Sequence, residues 1–204
     1  MTARRQFLLV LLAPWQRIPG AEALLLHQER DRLRVSAPRV RFLTGKPLER
    51  LRNGASVAFD FQLAAFAARP TAVPPPRLFD RALERFVVSY DLWEEKFAVS
   101  RPGVPPRGVS HLTGTAVEGW CVENLSLPLS SLPGDQPFWL RLELRAEDPS
   151  DRPPVVGEPG ISLARLIELF SRPSRSQQPS WVVDDGPFRL ADLKSAGGRG
   201  SNGG

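Results

Sequence analysis

The chain's 204 residues suit one domain, and an apolar share of 42% is enough to build a sizeable core. The formal charge of +5 is mild and lies partly in the first 23 residues. It falls short of the basic excess a phosphate-tracking surface needs, so nucleic acid is not an expected partner. Cys121 is the lone cysteine, which excludes an intrachain disulfide, and His27, His111 and Cys121 lack metal-ligand spacing, so no metal or other cofactor is expected.

The segment "MTARRQFLLVLLAPWQRIPGAEA" has the order of an export signal. Arg4 and Arg5 form a positive start, Phe7 to Trp15 an apolar run, and Ala21-Glu22-Ala23 the small-x-small pattern of a cleavage site. That run is too short for a permanent membrane span. The paired arginines fit the twin-arginine route and the leucines the general secretory route, and both stay open. The expected location is periplasmic or secreted, with a cytosolic protein whose N-terminus joins the fold as the alternative.

Period-two patterning dominates from residue 24 onward. In "DRLRVSAPRVRF", Leu33, Val35 and Ala37 alternate with polar residues, and beyond Pro38 the apolar set shifts to Val40 and Phe42. The spacing predicts one strand that absorbs the shift in a bulge, with Pro38 favouring an edge or bulged position. Arg32, Arg34, Arg39 and Arg41 then share its outer face. They are candidate contacts for an acidic polymer or anionic lipid, or simply guards against edge-to-edge pairing.

"KPLERLRNG" predicts a short helix that stops at Asn53-Gly54. "SVAFDFQLAAF" is a strand with Val57, Phe59, Phe61 and Leu63 on one face, and "ARPTAVPPPR" a stiff loop within the domain. "RFVVSYDLWEEKFAVS" predicts a hairpin whose tip carries Asp91, Trp93, Glu94 and Glu95. Extended Glu94 and Glu95 would point to opposite faces, so they cannot pair as acid and base. Asp91 and Glu94 fit a turn, with Asp91 accepting from turn amides. Trp93 at that corner is the foremost candidate binding residue.

"SHLTGTAVEGWCVEN" is a weak helix in which Cys121 reads as a small buried hydrophobe. "LSLPLSSL" and "FWLRLELRA" predict a hairpin joined by "PGDQP", with Phe138, Leu140, Leu142 and Leu144 inward. "ISLARLIELFSRP" predicts a capped amphipathic helix, "SWVVDDGPFRL" a short hairpin, and 195–204 a disordered Gly-rich tail. No nucleophile elbow, phosphate loop or dinucleotide fingerprint occurs, and no catalytic residue is assigned.

These elements resemble an uncharacterised bacterial family of small exported proteins, a domain of unknown function. The likeness spans about residues 30–148. "LRNGASVAF" is similar to that family's asparagine-glycine approach to a strand, and "VSYDLWEEKFAV" to its tyrosine-bearing hairpin; "GWCVENLSLPL" followed by "FWLRLELRA" completes the match. The resemblance implies an exported β-rich domain and brings no activity with it.

The expected fold is a mainly β, antiparallel sandwich-like domain over residues 24–194 with two or three short helices. The expected function is a non-catalytic cell-envelope domain binding a protein or envelope polymer. A cell-envelope hydrolase using Asp91 and Glu94 is the alternative enzyme reading.

Overall fold

The alternation from Val57 to Leu63 builds the strand around which the rest of the protein assembles. The computed structural model describes residues 24–103, 107–147, 167 and 179–197. Strands β1 (Leu25–Glu29) and β2 (Arg32–Ser36) precede helix α1 (Gly45–Arg52). Strands β3 (Val57–Phe66), β4 (Leu78–Asp91), β5 (Lys96–Arg101) and β6 (Arg107–Leu112) follow as a meander. Helix α2 (Gly114–Glu123) leads into β7 (Ser126–Pro128) and β8 (Phe138–Ala146); β9 (Ser180–Phe188) and α3 (Leu190–Gly197) complete the described elements.

All pairings are antiparallel. One sheet has the order β6-β5-β4-β3-β8-β9 and the other β1-β2-β7. The expected sandwich-like β domain with few short helices is therefore the observed one. Its core lies between the sheets, where Phe59, Phe61 and Leu63 of β3, Phe86 of β4 and Leu140, Leu142 and Leu144 of β8 are fully buried. Leu33 and Val35 of β2 and Leu127 of β7 belong to the same buried cluster. A chain of ring contacts runs through it, from Trp120 to Phe86 at 5.6 Å, on to Phe61 at 5.2 Å, and then to Phe42 at 5.4 Å. Edge-on contacts of this kind add to the area that the rings remove from water.

Local signals set the helix ends, and the stop of α1 at Asn53-Gly54 is the one expected. Gly54 takes φ +81° just past α1, where its amide donates to the Leu51 carbonyl and the Ala55 amide to that of Arg50. These two bonds form a Schellman stop, for which a residue without Cβ is suited. At α2 the Thr113 hydroxyl accepts from the Ala116 amide at 3.3 Å, an N-cap that helps a glycine-containing helix to start.

Three expectations are corrected. The strand through Pro38 does not continue as a bulged edge. It ends at Ser36, and the Val40 amide donates to the Ala37 carbonyl at 3.0 Å across a turn with Pro38 second, the position its fixed φ favours. The change of parity is thus a change of direction, which lets Val40 and Phe42 stay buried. β2 also lies between β1 and β7 rather than at an edge.

The second correction is that "LSLPLSSL" and "FWLRLELRA" do not form a hairpin. β7 pairs with β2, while β8 pairs with β3 over Phe59–Phe66 and with β9. The nine-residue β8 finds in β3 a partner of matching length and apolar face, which the three-residue β7 cannot offer. Third, "SWVVDDGPFRL" is one strand with a shift of register, followed by α3. Gly186 sits at that shift with φ +136°, and a Cβ there would lie 3.0 Å from the Phe138 carbonyl oxygen. The Asp-Gly-Pro that resembles a hairpin turn is a bulge, and Pro187 is tolerated because β9 is an edge strand. Of the expected 161–173 helix only Ile167 is described, in helical conformation; segment 1–23 and most of the Gly-rich tail lie outside the described residues.

The outer face of the larger sheet is polar but partly buried, so its charges are paired. Asp60 stands opposite both Arg85 and Arg145 in register. Arg85 reaches Glu147 at 2.9 Å, Arg145 reaches Glu143 at 2.6 Å, and Arg141 grips Asp184 with two bonds of 2.6 and 2.8 Å.

The buried carboxylate of Glu118, 4% exposed, ties α2 to the chain leaving β2. Its Oε1 accepts from the Phe42 amide at 2.7 Å and the Leu43 amide at 2.9 Å, and Arg41 lies 3.6 Å from Oε2. Truncation would strand two buried donors, so Glu118→Ala is expected to lower stability by about 3 kcal/mol, and Glu118→Gln, which retains an acceptor, by less. Urea unfolding checks this; equal midpoints for wild type and Glu118→Ala would show that water replaces the carboxylate.

Candidate functional site

Hairpin β4–β5 closes with Tyr90 opposite Phe97 and Asp91 opposite Lys96, leaving residues 92–95 as the tip. The Tyr90 and Phe97 rings touch at 4.7 Å and brace its base. Asp91 Oδ1 accepts from the Trp93 amide at 2.8 Å and the Glu94 amide at 3.1 Å, the turn chemistry expected of it. Glu95, at φ +54°, turns the chain back into β5. The tip is thereby a defined turn held by its own side chain.

A second tie comes from β6. The β5–β6 register shifts between Phe97 and Val99, and His111 in that irregular stretch has φ +59°. Its Nδ1 lies 2.6 Å from Glu94 Oε2. The edge strand therefore holds the tip from the side, through a contact between residues 17 positions apart in sequence (111 − 94). Alternation gives no hint of it, because the β6 side chains from Arg107 to His111 are exposed on both faces.

What these ties present is apolar. Trp93 is 97% exposed and Leu92 56%, and Val109 on β6 is also exposed. Asp91, Glu94 and Glu95 surround the pair, with Lys96 the cation of the turn region. The corner is thus an acidic island on a chain of net charge +5.

The same geometry bears on acid–base chemistry. The Glu94 and Trp93 amides, in that order, hold the exposed Asp91 carboxyl below the ordinary aspartate range; a small loss of hydration opposes them and His111 assists. A general acid working near neutral pH needs the opposite shift. With Glu94 spent on His111, the two carboxylates serve the turn.

The four arginines are not brought into one stripe. Arg32 and Arg34 stand on β2, whereas Arg39 and Arg41 lie on the turn and extended segment beyond it. Arg32 donates to Ser126 Oγ at 2.7 Å, and Arg34 donates to the Glu123 carbonyl at 2.8 Å while pairing with Glu29. Arg41 bonds the Val40 carbonyl and flanks Glu118. The Arg32 and Arg34 contacts fasten β2 to β7 and to the C-terminal end of α2, while Arg41 lies beside Glu118 in the middle of that helix.

Cys121 is fully buried in α2, and burial together with the Glu118 charge pushes its thiol up, keeping it protonated. A thiol in that state is not a nucleophile. Among the described residues no group of three or more His, Cys, Asp and Glu side chains converges as a metal site would require. No described helix is long and apolar enough to cross a membrane.

If Asp91 holds the turn as an ionised acceptor, Asp91→Ala should speed hydrogen exchange at the Trp93 and Glu94 amides without unfolding the sheet. Because its folded pKa is depressed, its stabilising effect is full above the unfolded value of about 3.9 and fades as pH falls through the folded one. The gap in urea midpoint between wild type and Asp91→Ala should accordingly be present at pH 7 and close in acid. A gap that widens in acid would reverse this assignment.

No protein-family model, curated protein or solved structure matches the chain.

Proposed function

We propose that this chain is a non-catalytic, exported cell-envelope domain that grips a protein partner with the β4–β5 tip, Trp93 acting as its anchor. The observation that carries this reading is a tryptophan held 97% exposed on a turn tied down twice, by Asp91 and by the Glu94–His111 contact. Burying an indole removes about 150–250 Å² from water. At about 25 cal/mol per Å² that is roughly 4–6 kcal/mol before association costs, enough for an interface hot spot. Because the turn is fixed beforehand, little ordering entropy opposes binding.

Charge points to the kind of partner. Asp91, Glu94 and Glu95 around Trp93 favour an apolar pocket rimmed with arginine or lysine, and they disfavour anionic lipid or polyanionic polymer. Export is supported by the order of charged, apolar and small residues across 1–23, and by the resemblance over 30–148.

Photo-crosslinking tests the anchor. A benzoyl-phenylalanine replacing Trp93 should form an adduct with an envelope protein, whereas one replacing Val73, 95% exposed in the loop at the other end of β4, should not. The crosslinked protein should bind Trp93→Ala at least about tenfold more weakly, a loss of about 1.4 kcal/mol. Equal adducts at both positions, or equal affinity for Trp93→Ala, would remove the tip from the interface.

A further inference from the structure

We propose that Asp185 is a docking site for the α-ammonium group created when the export signal is cleaved after Ala23. This inference rests on the export reading above and adds to it a residue that receives the new terminus. The Leu24 backbone nitrogen donates to Asp185 Oδ2 at 2.8 Å, a contact across 161 residues. Leu24 itself is 2% exposed and belongs to the core cluster, and sheet pairing begins at the next residue, where Leu25 stands opposite Ser36. The fold therefore holds Leu24 by side chain and by backbone nitrogen together. That residue directly follows the small-x-small triplet Ala21-Glu22-Ala23. The sequence pattern and the hydrogen bond thus meet at one residue, Leu24.

Cleavage changes the chemistry of that nitrogen. A peptidase that recognises small-x-small sites hydrolyses the Ala23–Leu24 bond with one water, leaving a carboxylate on Ala23 and an amine on Leu24. The amine takes up a proton at neutral pH, so a neutral amide donor becomes a cation facing a carboxylate. Charge-assisted bonds of this kind are about twice as strong as neutral ones.

The acceptor is prepared for the task. Asp185 sits at the β9 bulge, and its Oδ1 is fixed by the Gly186 amide at 2.8 Å, which leaves Oδ2 directed at Leu24. Its neighbour Asp184 is bound to Arg141 by two bonds and does not compete. The remaining described charges on the adjoining elements are Glu143 and Arg145 on β8, which pair with each other, His27 and Glu29 on β1, Arg189 before α3 and Asp192 on it. None of these has a bond to Leu24 or Asp185 among the contacts described.

The experiment uses the chain recovered from the envelope, its first residue read by intact mass. For a chain beginning at Leu24, titration of the α-amino group by NMR should give a pKa at least about one unit above the ordinary 7.7–8.0. Asp185→Asn should return it to the ordinary range. The sign for stability follows: the ion pair strengthens the fold fully below the unfolded α-amino pKa and is lost as pH rises through the folded one. An ordinary pKa in the wild type, or one that Asp185→Asn leaves unchanged, overturns the docking site while export stands. A chain recovered with residues 1–23 intact instead overturns the export reading itself, and the docking site with it.

Discussion

The carboxylate of Glu118 is the constraint on which the arrangement of the layers depends. After β2 the chain must leave the smaller sheet, turn at Pro38 and cross to α1 beside the larger one. On the way it exposes two consecutive amides that no strand neighbour satisfies, those of Phe42 and Leu43. Both donate to Glu118, so a polar group within the core fixes where the crossing segment lies. Phe42 is thereby placed against Phe59, Phe61 and Trp181, on β3 and β9. The same carboxylate sets the height of α2, whose Val117, Cys121 and Val122 enter the core from the other side. A buried charge would be costly alone; two amides and Arg41 make it a specific connector.

Helix ends and central strands were legible in the sequence because their causes are local. Gly54 acts through neighbours within four residues, and the β3 alternation records burial against a single core; the Thr113 cap is equally local but went unread. The hairpin around Trp93 was legible for the same reason, since Asp91 satisfies amides two and three positions ahead. Strands β1 and β6 left no comparable signal. Their side chains are almost all exposed, and a strand that buries nothing acquires no period.

Pairing choices were illegible for a different reason. Whether β7 joins β8 or β2 depends on which surfaces are free after β3 has taken β8, a fact about the assembled sheet. The same limit applies to the arginines. Alternation of Arg32 and Arg34 is visible, but the residues that receive them, Ser126 and Glu123, lie 94 and 89 positions away. The Glu94–His111 tie joined two exposed residues through a bulge and a left-handed backbone, neither of which patterning encodes. Long-range contacts converted an apparent basic stripe into fasteners and added a side brace to a turn whose local bonds were already legible.

The strand order gives these features a common logic. Trp93 projects from the β4–β5 tip, beside β6 at one edge of the larger sheet, while Asp185 lies on β9 at the other. From β5 to β9 are four strand spacings, about 19 Å at roughly 4.8 Å each. The Asp185 carboxylate that accepts from Leu24 at β9 is therefore remote from the tip, and the described strands between them show no second arrangement through which one could alter the other. Leu24, where the proposed processing would create a new terminus, and the exposed Trp93 are thus associated with opposite edges of one sheet. Under the proposed processing and recognition, the first would therefore leave the second undisturbed, with Trp93 presented in the same geometry before and after cleavage.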